Sequence, residues 1–90
     1  MQFEWDSAKA TANLTKHGVS FDEAKNVFDD PLYVDFYDPD HSGGGHRYII
    51  IGQSRQGRLL MVSYTERNDT MRIISSREVT PAEREAYEEG

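Results

Sequence analysis

The chain of 90 residues contains no cysteine. That excludes a disulfide framework, a thiolate nucleophile and a zinc site built on sulfur. Long apolar runs are missing as well. Stretches such as Tyr48–Ile51 end after one turn of sequence, far short of a membrane span. The opening Met1–Asp6 shows neither a basic n-region nor an apolar h-region, so the expected compartment is the cytoplasm. Positive charge is scarce: 10 Lys and Arg stand against 16 Asp and Glu, for a net charge of −6. Such a balance steers a protein poorly toward nucleic acid over long range and attracts basic protein partners. There are no internal repeats, and the only low-complexity stretch is Gly43–Gly45.

What is present reads as one folded domain over residues 1–90. This length builds a single core, and the 37% of apolar residues fall in periodic blocks. The charge is unevenly spread. Residues 1–46 sum to −6 and residues 78–90 to −4, whereas residues 47–77 sum to +4. All the basic residues of that middle segment are arginines: Arg47, Arg55, Arg58, Arg67, Arg72 and Arg77. Arginine grips phosphate with a planar fork that lysine lacks, so a local polyanion site survives the global acidity.

Local signals predict an α+β domain: two N-terminal helices, a four-stranded antiparallel sheet and a C-terminal helix. Phe3–Trp5 reads as a short extended piece. Asp6 is an N-cap for a helix through Lys16, and Gly18 suits the left-handed position that ends it. Ser20 and Glu23 form a capping box for a second helix with Phe21, Ala24, Val27 and Phe28 on its core face; Asp29-Asp30-Pro31 stops it. Leu32–Tyr37, Arg47–Gly52, Arg58–Glu66 and Met71–Val79 read as strands. Arg55-Gln56-Gly57 and Asn68-Asp69 are tight turns, and Asp38–Gly45 is a loop. Thr80-Pro81-Ala82-Glu83 is a complete helix-start signal, with Ala82, Ala86 and Tyr87 expected to face inward.

Several residues carry chemistry, each with a plainer alternative. Arg47, Arg72 and Arg77 suit phosphate binding or the stabilisation of a charged phosphoryl intermediate, although most sheet arginines are merely solvated. Strict alternation puts Arg77 on the face of Met71 and Ile73, and Arg72 on the other, so only a twist or bulge would aim both at one spot. His17 stands at a helix C-terminus, where the dipole welcomes positive charge; it suits proton transfer or simple capping. Thr65, Glu66 and Arg67 offer a hydroxyl, a base and a clamp at a strand end, or plain turn chemistry. His41 and His46, near Asp38 and Asp40, have metal-ligand spacing on a loop without fixed geometry. The five tyrosines suit base stacking or an ordinary core.

In order along the chain stand Phe3-Glu4-Trp5-Asp6-x-x-Lys9, Asn13-x-x-Lys16-His17-Gly18-Val19-x-Phe21-x-x-Ala24 and Val27-Phe28-x-Asp30-Pro31. Then follow Arg47-Tyr48-Ile49-x-Ile51-Gly52, Gly57-Arg58-Leu59-Leu60-x-Val62-x-Tyr64-Thr65-Glu66-Arg67, Arg72-Ile73-Ile74-Ser75-x-Arg77 and Thr80-x-x-Glu83-Arg84-x-x-Tyr87. Over nearly its full length the chain thus resembles the BrnT family of type II toxins. The resemblance implies a RelE-like fold, ribonuclease activity and growth inhibition. It also implies a BrnA-like antitoxin with a ribbon-helix-helix DNA-binding part, through which alone the complex would reach operator DNA. The chain departs from the family before its strand arginine, where glutamates are usual and Gly43-Gly44-Gly45-His46 stands here.

The expectation is therefore a metal-independent endoribonuclease that uses no cofactor and drives attack of the RNA 2′-OH on the adjacent phosphate. His17 is expected to transfer protons, with Glu66 as the weaker candidate base. Arg47, Arg72 and Arg77 would clamp the phosphate; Lys9, Lys16 and Thr65 would bind substrate. The rival expectation is a catalytically inactive module that binds its antitoxin in an autoregulatory complex. A weaker third is metal binding through His41 and His46.

Overall fold

The computed structural model describes residues 1–38 and 46–90; Asp40, His41 and Gly43–Gly45 therefore lie outside the described residues. The first helix, α1 (Ser7–His17), is bounded as its sequence dictates. The Asp6 carboxylate accepts the Lys9 amide at 3.0 Å, and Gly18 adopts φ +69°, donating its N–H to the Leu14 carbonyl. Only glycine takes that left-handed conformation without strain. α2 (Phe21–Lys25) begins at Ser20, whose hydroxyl accepts the Glu23 amide at 3.0 Å, and runs into a 3₁₀ turn at Asn26–Asp29. The expected capping box is only half realised. The buried Glu23 carboxylate turns to the Ser54 hydroxyl (2.8 Å) and the Arg58 guanidinium, whose charge and hydrogen bonds hold it below the usual carboxylate range.

Five strands form one sheet in the order β1-β5-β4-β3-β2. They are β1 (Gln2–Glu4), β2 (Val34–Tyr37), β3 (Arg47–Gln53), β4 (Leu59–Arg67) and β5 (Thr70–Glu78). β2 to β5 pair antiparallel, with Gly57 (φ +84°) and Asn68 (φ +56°) in the left-handed region at the two tight turns. The expectation of four antiparallel strands is corrected here. Gln2–Glu4 adds a fifth strand, parallel to Thr70–Arg72, so the sheet is mixed. Leu32, expected to open the strand that is β2 here, precedes it and is exposed.

One sheet face packs on α1 and α2: Ile50, Leu60, Val62, Met71 and Ile73 meet Val19, Phe21, Ala24 and Val27. On the other face Ile51, Leu59 and Met61 meet Val79 and Tyr87 of the C-terminal segment. There α3 (Pro81–Glu89) starts with the predicted capping box, Thr80 and Glu83 each accepting the other's amide. Ala82 and Ala86 are exposed, contrary to expectation, and Glu83 and Tyr87 hold the helix instead. The Tyr87 hydroxyl donates to Asp30 at 2.6 Å, and the same carboxylate accepts the amides of Leu32 and Gln53.

Two features of β5 place everything that follows. First, Ser63 pairs with Ser75 but Tyr64 pairs with Ile73, so Ile74 is an extra residue in the ladder, a β-bulge. The bulge shifts the alternation by one, and Arg72 and Arg77 therefore share a face. Second, β1 flanks only Thr70–Arg72. Beyond it, buried Asn13 of α1 does the work of a strand, accepting the Ser76 N–H (3.1 Å) and donating to the Ser76 carbonyl (2.8 Å) and to Val19 (2.9 Å). Among the described residues no helix is long and apolar enough to cross a membrane.

Candidate active site

The register aligns Arg47 with Thr65, Thr65 with Arg72, and Arg72 with Glu4. These four residues form one row across β3, β4, β5 and β1, on the face that α3 covers at its other end. Strands lie about 4.8 Å apart, so the Arg47 and Arg72 backbones are separated by roughly 10 Å with the Thr65 hydroxyl between them. That gap lets two guanidinium groups lean toward one phosphate. The Arg72 end opens into a cleft of about 360 Å³ lined by Glu4, Thr65, Arg67, Asn68, Thr70 and Arg72.

The arginines differ in how they are held. Arg72 donates to Glu4 at 2.6 Å, with 48% and 51% of the two side chains exposed. An ion pair this wet is worth about 0–1 kcal/mol, less than the roughly 1.5–3 kcal/mol of a charge-assisted bond to an incoming anion. Arg47 has no carboxylate partner among the described residues. Arg77 is clasped by both oxygens of Glu83, at 2.8 and 2.9 Å. The Arg77 guanidinium holds the Glu83 carboxyl below its usual range, and Glu83 in turn raises Arg77. Arg77 pairs with Met61, four positions along β4 from Thr65, or about 13 Å. It shares the face but not the row, and it ties α3 to the sheet.

Glu66 follows Thr65 and pairs with Met71, a core residue of the helix-covered face. Strand alternation thus puts it on the side away from Arg47 and Arg72. Its charge bears instead on Tyr64, whose hydroxyl is pushed up chiefly by burial and then by Asp35 at 3.4 Å.

His17, Lys9 and Lys16 come together elsewhere. With Ala12, Asn13, Ile74 and Ser75 they line a second cleft, at the β5 edge beyond the end of β1. Their seven-residue spread from Lys9 to Lys16 is two helical turns, which sets both lysines on one side of α1. In the turn between β1 and α1, Asp6 is held below its usual range by the Lys9 amide, with smaller contributions from the Lys9 and Arg72 charges. His46 stands apart, its ring 5.7 Å from that of Tyr37, and the described residues contain no cluster of His, Asp and Glu suited to a metal ion.

Sequence reasoning passed over Glu4. Its neighbour Arg72 lies in the last third of the chain, and nothing local marks a three-residue strand as its partner. The basic neighbourhood, Arg67 and Arg72, was visible in the charge count of residues 47–77.

Comparison with protein families matches residues 5–83 to the BrnT toxin, described as the ribonuclease toxin of a type II toxin–antitoxin system. The chain belongs to the BrnT family. Members of this family work against an antitoxin partner and act on RNA. Among solved structures, the 1.1 Å crystal structure of the Brucella abortus ribonuclease toxin BrnT superposes with a TM-score of 0.65 at 20% identity. The match covers 89% of this chain and 97% of that one. At that identity the likeness speaks for the fold, which in this BrnT-family chain is three helices on a five-stranded mixed sheet. Comparison with curated protein sequences finds no match.

Proposed function

We propose that this chain is an endoribonuclease toxin that cleaves RNA through the 2′-OH, with no metal ion, and that the row Arg47–Thr65–Arg72 holds the scissile phosphate. The observation that carries the reading is the row itself: two guanidinium groups and a hydroxyl on three adjacent strands, beside an open cleft. Charge builds on the non-bridging oxygens as the 2′-oxygen attacks, and fixed cations lower the barrier in proportion to that build-up. The RNA supplies its own nucleophile, so the protein needs only a base, an acid and positive charge. Lys9, Lys16 and His17 extend the basic surface over the β5 edge and would bind the neighbouring phosphates, with His17 able to deliver a proton. Arg77 serves α3 in this reading, and Glu66 has no part in the chemistry. The partner is a ribbon-helix-helix antitoxin whose basic character fits a chain of charge −6.

The test is cleavage of a generic RNA by purified protein with chelator present. Arg72→Ala and Arg47→Ala are each expected to lower the rate at least 100-fold, and His17→Ala to lower it less. Cleavage unchanged in both arginine variants would remove the site. A second reading, an inactive antitoxin-binding module, draws on the Arg72–Glu4 and Arg77–Glu83 pairs, in which protein carboxylates engage two of the arginines. Expression without antitoxin separates the two: harmless accumulation of folded protein favours the module.

A further inference from the structure

Resting on the ribonuclease reading above, we infer that Glu4 is the general base of the site, the carboxylate that takes the proton from the attacking 2′-OH. A base must stand within hydrogen-bond reach of the hydroxyl while the phosphate sits on the cations. Of the residues lining the cleft at the row's end, Glu4 is the sole carboxylate. It is in register with Arg72, and the parallel pairing of β1 with β5 fixes that alignment through the backbone. Glu66 faces the other side of the sheet, and Glu83 is occupied by Arg77 and by the Thr80 amide.

The contact geometry suits the role. Arg72 Nη1 bonds Glu4 Oε2 at 2.6 Å, whereas among the described residues Oε1 has no hydrogen-bond partner. A phosphate held by Arg72 at the mouth of the cleft, with its 5′ nucleotide lying toward β1, would bring the 2′-hydroxyl of that nucleotide to the Glu4 carboxylate. As the new O2′–P bond forms, the hydroxyl proton passes to Glu4 Oε1. The P–O5′ bond breaks, the departing oxygen takes a proton from His17 or from water, and Glu4 later returns its own to solvent. The products are a 2′,3′-cyclic phosphate and a free 5′-hydroxyl, with no oxidant or further reactant. The wetness of the Glu4–Arg72 pair fits as well. Arg72 exchanges part of its bond for the phosphate at little cost, and the carboxylate stays anchored by β1.

Two measurements on the full chain test this. Cleavage of a short RNA is followed for the wild type, Glu4→Gln and Arg72→Ala across pH. Binding of the same oligonucleotide with 2′-deoxy sugars, which cannot be cut, is followed by fluorescence anisotropy. Glu4→Gln is expected to lose at least 100-fold in kcat and the acid limb of the pH–rate profile, while binding the uncut analogue as tightly as wild type or tighter. Arg72→Ala is expected to lose binding as well. If Glu4→Gln cleaves normally while Arg72→Ala does not, the base assignment fails and the ribonuclease site stands. Faster cleavage by Glu4→Gln would make the carboxylate a plug and overturn the assignment too. If wild-type protein does not cut RNA, both fall. Circular dichroism of Glu4→Gln guards against loss of β1: a changed fold with lost binding counts against the assignment, since a base alone requires neither.

Discussion

Asn13→Ala is the sharpest stability test the fold offers. Asn13 is 6% exposed and makes three hydrogen bonds, to the Ser76 N–H, the Ser76 carbonyl and the Val19 carbonyl. Truncation orphans one donor and two acceptors at a protein edge already shielded by α1. Each buried orphan costs about 1–3 kcal/mol. Alanine returns roughly 0.6 kcal/mol through better helix propensity, and water reaching the gap recovers more. The net expectation is a loss of about 3 kcal/mol, a large share of the roughly 5–13 kcal/mol a domain of this size commands. For a domain this small that loss lowers Tm by about 12–24 °C. Asn13→Asp should cost more, because it replaces two donated bonds with a carboxylate facing two carbonyls. Exposed Thr15→Ala on the same helix should stay within about 0.5 kcal/mol. Urea unfolding followed by circular dichroism measures all three. A loss under 1 kcal/mol for Asn13→Ala would show that the carboxamide does not substitute for a missing strand.

Acid should destabilise the fold. Glu23 (through Arg58) and Glu83 (through Arg77) are held below the usual carboxylate range. Asp30 is pushed up by burial but brought below that range by the Tyr87 hydroxyl and the Gln53 and Leu32 amides. Unfolded, these groups bind protons more readily than when folded, so their contribution is complete above about pH 5 and is lost as pH falls through the lower folded values. Urea midpoints at pH 7, 5, 4 and 3 should be flat and then drop; a midpoint constant to pH 3 would contradict the ion-pair assignments. Tyr87→Phe should cost about 1.5–3 kcal/mol by removing a hydrogen bond to a charged group and should speed amide exchange in α3. The same substitution should delete from an ultraviolet titration the phenol that Asp30 pushes up to about 12.

The helix boundaries were legible because their signals are local. Asp6, Gly18 and Thr80-Pro81-Ala82-Glu83 act within a turn of themselves, and all three act as read. β1 was legible only as a short extended piece, not as a member of the sheet: three residues carry no periodicity, and its partner is distant and parallel. Glu23 was read by its distance to Ser20, whereas burial beside Arg58 decided where its carboxylate went. The faces of β5 failed for a similar reason. Alternation counted from Met71 sends Arg72 and Arg77 to opposite sides, and the ladder inserts Ile74 between them. The paired isoleucines Ile73-Ile74, where alternation has room for one inward residue, were the available sign of that insertion. The chemistry of the middle segment was readable as arginine excess. Which arginines share a row depended on register, which no short-range pattern carries.

The pairing of Gln2–Glu4 with Thr70–Arg72 bears on how such a protein is born. The first strand leaves the ribosome well before its neighbour and must wait for it, and closing so long a loop is among the slower steps a small chain takes. A nascent chain halted before Arg72 has neither the second guanidinium nor a strand to seat Glu4. The row is complete only once Thr70–Arg72 has joined the sheet, so products truncated before it lack one of its two guanidinium groups.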